Sequence, residues 1–282
     1  MTLAAPGGRF YYLRVSILLL VLGGVLGYAS LDHARRSARR EWRRPLQVAL
    51  VLLQQGELDP AALALLQERI KPLEAVLEAE FARYGGSFRP VRFQPFGPVP
   101  QPSAQPEPTE DSSLFESLRL SLALGAFARR SDRAAGVGGG WDGKIYVRLS
   151  SPRSARRALV EGLGEDGGRI AVTSVELSED SVDFGLFVVA HELFHLLGAE
   201  DRYGPDGLTL LPDGLGAPEQ EPLFPQLKAE IMARGRVLEP GVEEPPGQLD
   251  ELSVGPLTAR EIGWSVAAAS SPANGVRLAP PR

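Results

Sequence analysis

The chain has 282 residues, 44% of them hydrophobic and 23% charged, a balance that excludes a fibrous or wholly disordered polymer and allows one large domain or two small ones. It contains no cysteine, which excludes disulfides and thiolate metal ligands without fixing the compartment. The net charge is −5, yet residues 1–44 carry eight arginines against Asp32 and Glu41, so the remainder is strongly acidic and argues against nucleic acid as the main partner.

Residues 15–31 are an uncharged, mostly apolar run of 17 residues behind Arg9 and Arg14, at the short limit for a membrane-spanning helix. A cleaved signal peptide is the alternative, because Gly27-Tyr28-Ala29 offers small residues ahead of Ser30. Arginines 35, 36, 39, 40, 43 and 44 then recur in pairs every four residues, which puts them on one helix face suited to membrane headgroups. By the positive-inside rule these charges hold the following body on the cytoplasmic side.

Residues 46–53 read as a first, buried strand. Asp59-Pro60 is an N-cap with proline at the first helical position, and Leu63, Leu66, Ile70, Leu73, Leu77 and Phe81 form an apolar stripe that predicts a helix to Tyr84, kinked at Pro72 and stopped by Gly85-Gly86. Residues 88–93 alternate as an edge strand does, and the six prolines between 95 and 110 predict an extended surface loop. Leu114, Phe115, Leu118, Leu122 and Phe127 define a further amphipathic helix, ended by Arg129-Arg130 and the glycine-rich run from Gly136 to Gly140. The glycine-rich run at 136–140 reads as linkage, since it lacks the lysine and hydroxyl ending of a nucleotide loop. Residues 144–149 and 169–177, rich in branched and aromatic side chains, predict two strands that lead into the next helix.

That helix carries the chemistry. Val182, Leu186, Val189, Leu193, Leu196 and Leu197 recur at helical spacing behind a Ser-Glu-Asp-Ser start. His191 and His195 therefore lie one turn apart on one face, where two imidazoles can grip one zinc ion with Glu192 beside them as a general base. Gly198 suits a left-handed helix end that turns the chain back and returns Asp201 toward the histidines as third ligand. Glu200, Glu243, Glu244 and Glu251 are the other carboxylates in contention, while the third histidine, His33, sits beside the membrane run. The structural alternative is a buried amphipathic helix with two incidental histidines.

The stretch Ala190 to Tyr203 resembles the H-E-x-x-H-x-x-G-x-x-H/D signature of metzincin zinc endopeptidases in the aspartate form found in snapalysin, and is also similar to the matching segment of immune inhibitor A-type peptidases. The resemblance implies a methionine turn beneath the metal, which Met232 in residues 229–235 matches. It also implies a closing C-terminal helix, matched by residues 256–264. Phe194 stands where relatives often have glycine, and two separate strands ahead of the active-site helix are hard to find, which leaves the substrate-binding edge unassigned. Turn residues 205–207 and 212–214 need no calcium to explain them.

The fold expected is α/β (α+β), a metzincin-like zinc peptidase domain with a twisted, mostly parallel sheet, a backing helix and the active-site helix, behind an N-terminal membrane segment. The expected domains are an anchor or signal peptide at 1–31, an Arg-rich segment at 32–44, the peptidase body at 45–268 and a tail at 269–282. The function expected is peptide-bond hydrolysis with Zn2+ held by His191, His195 and Asp201, Glu192 as base, and Gly198 and Met232 as structural supports. A membrane-tethered zinc-binding or interaction module without turnover is the alternative. The resemblance places the body outside the cytoplasm, against the arginine rule, either anchored by a single pass or secreted after cleavage. Its substrate is protein or peptide.

Overall fold

The computed structural model describes residues 8–106, 114–152, 163–164 and 168–264, and the predicted tail lies outside them. The chain separates into two compact units, Met1–Glu41 and Trp42–Arg282. The described residues of the first unit form one helix, α1 (Gly8–Arg40), of 33 residues. At about 1.5 Å per residue it is roughly 50 Å long, and it is apolar enough to cross a membrane. The helix extends the predicted apolar run at both ends, because Arg35, Arg36 and Arg39 continue the helical backbone.

The second unit is built on strand β1 (Leu46–Gln55), whose residues from Val48 to Leu53 are buried. Such a near-continuous apolar run belongs to a strand covered on both faces. Helix α2 (Pro60–Arg83) follows with Pro60 in its first turn and the Asp59 side chain accepting from the Ala61 N–H at 2.9 Å. It continues past Pro72 and buries Leu66, Ile70, Leu73, Leu77 and Phe81, the predicted stripe.

Strand β2 (Val91–Pro100) differs from the expectation: it begins after Pro90 and runs through the first half of the predicted proline loop. Prolines are tolerated there because β2 is an edge strand with β1 on one side only. Its pairing shifts between Val51↔Phe96 and Leu53↔Val99, a bulge that accommodates the extra residue. Gly97 has φ +92°, and a Cβ there would lie 2.7 Å from the Leu52 carbonyl oxygen, so only glycine suits the bulge.

Helix α3 (Leu114–Ala135) runs past the exposed Arg129-Arg130 and stops at the predicted glycine run, where the left-handed Gly136, φ +69°, follows its end. Strand β3 (Gly143–Ser150), the two-residue β4 (Leu163–Gly164) and β5 (Ile170–Glu176) complete the main sheet, in the order β2-β1-β3-β5-β4. Within this sheet, among the described residues, β4 alone is antiparallel, pairing with β5 at the edge opposite β2. A two-residue strand has no period to recognise, which is why the sequence does not predict β4.

Helix α4 (Val182–Leu196) follows a 3-10 turn at Glu179–Ser181. Short strands β6 (Ala229–Glu230), β7 (Arg236–Glu239), β8 (Val242–Glu244) and β9 (Leu252–Ser253) and helix α5 (Pro256–Glu261) complete the unit. The mixed α/β architecture with a mostly parallel sheet is as the sequence predicted.

The sheet divides the core. On one face α2 and α4 pack Leu73, Leu77, Leu186 and Leu193 against Leu50, Leu52, Ile145 and Val147. On the other, α3 packs Leu124, Phe127 and Ala128 against Ala49, Val51, Tyr146 and Val172. Trp264 closes the first layer: 1% exposed, its ring centroid is 5.1 Å from Phe81, 5.7 Å from Trp42 and 5.5 Å from Phe194 on α4. The Trp42 indole N–H donates to the Ile262 carbonyl at 2.7 Å, so the body's first core residue is tied to its last helix. Trp264→Ala removes the centre of this cluster and is expected to lower stability by about 3–5 kcal/mol, read as a shift in urea midpoint at unchanged m-value.

Candidate metal centre

Helix α4 is anchored at its start by Asp183, whose carboxylate accepts from Arg69 of α2 at 2.7 and 2.5 Å and from the Leu249 N–H at 3.2 Å. A carboxylate in the first turn also suits the helix dipole. At the other end the Gly198 N–H donates to the His195 carbonyl at 2.9 Å and the Ala199 N–H to the Phe194 carbonyl at 3.0 Å. Gly198 has φ +89°, the left-handed helix end that the sequence predicted.

That turn brings Asp201 to the histidines. Its Oδ1 lies 3.3 Å from His191 Nε2 and 3.2 Å from His195 Nε2, and the two Nε2 atoms are 3.1 Å apart. Zinc bonds of about 2.0–2.1 Å in tetrahedral geometry set the ligand atoms about 3.3 Å apart, so the spacing of these three atoms fits three ligands of such an ion. Among the described residues His191, His195 and Asp201 are the group able to hold a metal. The other carboxylates are engaged elsewhere: Glu243 accepts from the Thr209 N–H at 2.7 Å, Glu251 from the Gly247 N–H at 2.6 Å, and Glu244 pairs with Arg236. Glu200 is exposed, its backbone N–H donating to Glu261.

The outer imidazole nitrogens decide the protonation. His191 Nδ1 is 2.8 Å from the Ile231 carbonyl oxygen and His195 Nδ1 is 3.0 Å from that of Ala199. Carbonyl oxygens only accept, so both Nδ1 atoms donate, and in the neutral imidazoles both Nε2 atoms present lone pairs inward. Three converging lone pairs repel unless a positive charge sits among them. A proton between His195 and Asp201 can supply that charge: burial lowers the His195 pKa, but hydrogen bonding and charge from Asp201, with the charge of Glu192, raise it on balance. For Asp201 burial pushes upward, yet the two imidazoles hold its carboxyl far below the usual range. Glu192 follows His191 on α4 and is 4% exposed.

The predicted methionine turn lies against this cluster. Met232 is fully buried, its carbonyl accepts from the Arg202 N–H at 2.8 Å, and the preceding carbonyl of Ile231 is the one that orients His191. The turn is held by Glu230, whose carboxylate accepts from the Met232 N–H at 2.5 Å and the Gly255 N–H at 3.1 Å. Burial raises the Glu230 pKa against the pull of Thr258 and these two N–H groups.

Sequence reasoning missed Glu230, Tyr203 and Arg234. The Tyr203 ring stacks beside His191 at 6.5 Å, the Arg234 guanidinium lies 4.4 Å from its centroid, and its hydroxyl pKa is pushed up to about 12 by burial and by Asp201. Tyr203 is thus a neutral donor beside the cluster, and the only signal was its place two residues after Asp201.

No protein-family model matches the chain, and no curated protein matches it either. Among solved structures, archaemetzincin from Methanopyrus kandleri is similar at 16% identity and a TM-score of 0.29, over 59% of this chain and 80% of that one. What the site can do is decided by its own atoms.

Glu230→Ala leaves two buried N–H groups without acceptors and is expected to cost about 1–3 kcal/mol for each, measured by urea unfolding. Glu230→Gln, which keeps an acceptor oxygen, should cost less.

Proposed function

We propose that the chain is a zinc-dependent endopeptidase, with residues 45–268 as the peptidase body and the N-terminal segment as a membrane anchor or signal sequence. One observation carries the reading: two inward Nε2 lone pairs and a carboxylate oxygen stand 3.1–3.3 Å apart, with both outer nitrogens bonded to backbone carbonyls. A mixed nitrogen and oxygen donor set of three protein ligands fits catalytic zinc, which keeps one position open, better than structural zinc, which takes four.

Zinc bound there would supply Lewis acidity, acidifying water and polarising a peptide carbonyl. His191, His195 and Asp201 would hold it, and the Ile231 and Ala199 carbonyls keep the two imidazoles in the binding tautomer. Glu192 is the proton carrier: its carboxylate takes a proton from the attacking water and delivers it to the departing amine nitrogen. Tyr203, protonated at neutral pH and beside Asp201, would be a donor available to developing negative charge on the carbonyl oxygen. Met232 acts by packing. The snapalysin-like aspartate form remains the family reading, supported by Gly198, Asp201 and Met232 in this order.

Asp201→Ala is expected to lower zinc content nearly as much as His195→Ala, whereas Glu200→Ala should leave it unchanged, by metal analysis of purified protein. Met232→Leu should keep its zinc and cost under about 1.5 kcal/mol. At equal zinc occupancy, Glu192→Gln should cut hydrolysis of a diverse peptide library by about 100-fold or more. Equal rates in wild type and variant, or no zinc-dependent cleavage in either, would replace the enzyme with a zinc-binding module.

A further inference from the structure

Helix α3 carries a stripe that the peptidase reading does not use. Its inner face, with Leu124, Phe127 and Ala128, is spent on the sheet. The opposite face, at steps of three and four residues, presents Phe115, Leu118 and Leu122 at 74%, 58% and 64% exposure, and then the exposed Arg129 and Arg133. Three large apolar side chains in one row on an otherwise acidic body mark a contact surface.

We propose that this stripe rests in the interface of the same bilayer that α1 crosses. Phe115, Leu118 and Leu122 then lie at the acyl boundary, and Arg129 and Arg133 meet anionic headgroups. Two observations select a bilayer as the occupant. Helix α1 ends at Arg40 and the body's core starts at Trp42, so a chain anchored by α1 keeps the body within a few residues of the membrane surface, at high effective concentration. The stripe also turns basic along its length, with Arg129 and Arg133 exposed on an otherwise acidic body, and anionic lipid attracts them. The inference rests on α1 being a membrane helix and is independent of zinc and of peptide cleavage.

Because the chain lacks cysteine, single spin labels can be placed in the full-length protein reconstituted into phosphatidylcholine and phosphatidylglycerol vesicles. Labels at Leu118→Cys and Leu122→Cys are expected to be more accessible to oxygen than to a water-soluble nickel complex, as is a label at Leu20→Cys within α1. A label at Glu68→Cys, exposed on α2, should show the reverse. Omitting phosphatidylglycerol should reduce the oxygen preference at Leu118 and Leu122 and leave Leu20 unchanged. Lipid exposure at Leu20 with water exposure at Leu118 and Leu122 overturns the proposal and leaves the membrane helix standing. Water exposure at Leu20 overturns both. Dipolar broadening between labels at Leu118 without oxygen preference identifies a second copy on this face and likewise overturns it.

Discussion

Three lone pairs aimed at one point are the constraint on which the rest of the body depends. His191 Nε2, His195 Nε2 and Asp201 Oδ1 stand 3.1–3.3 Å apart, a separation that is repulsive without a cation among them. Holding them there requires a rigid frame. Helix α4 supplies it by burying nearly all of its residues, with Asp183 clamped to Arg69 at one end and a left-handed glycine at the other. The outer nitrogens of both imidazoles then donate to backbone carbonyls, which removes the ring-flip and tautomer freedom that would relax the repulsion.

The floor of the site depends on a second unusual group, the buried carboxylate of Glu230. A carboxyl group is costly to bury, and it is tolerated here because it accepts from two backbone N–H groups, one from each segment it joins. Through Ile231 and Met232 this carboxylate is coupled to both walls of the site: Ile231 orients His191, and Met232 accepts from Arg202 in the segment that carries Asp201. Arg202 in turn pairs with Glu261 of α5, which links the closing helix to the third donor. The C-terminal elements are therefore part of the site's construction although, among the described residues, they add no member to the His191, His195 and Asp201 group.

The sheet separates the tasks of the body. One face holds α2, α4 and the aromatic cluster around Trp264, and hence the site; the other holds α3, whose outer stripe is free for a different contact. A largely parallel sheet must be covered on both faces, so a helix opposite the site is a requirement of the fold.

Much of this was legible in order along the chain. The period of α2 and α4, the Asp59-Pro60 start, the Gly198 stop and the spacing of His191, Glu192 and His195 are local features, and local features are set by backbone and side-chain preferences acting within a few residues. Asp201 was legible too, because a glycine turn fixes the direction of the next three residues. Other features depended on contacts between distant segments. Strand β2 extends through prolines only because it lies at an edge, and β4 exists only because β5 offers it partners. The roles of Glu230, Tyr203 and Arg234 arise from carbonyls, rings and N–H groups brought from elsewhere in the chain. Sequence by itself determined which residues could bind a metal; tertiary structure decided their protonation and separation, because both are set by partners as far away as Ile231, 40 residues from His191.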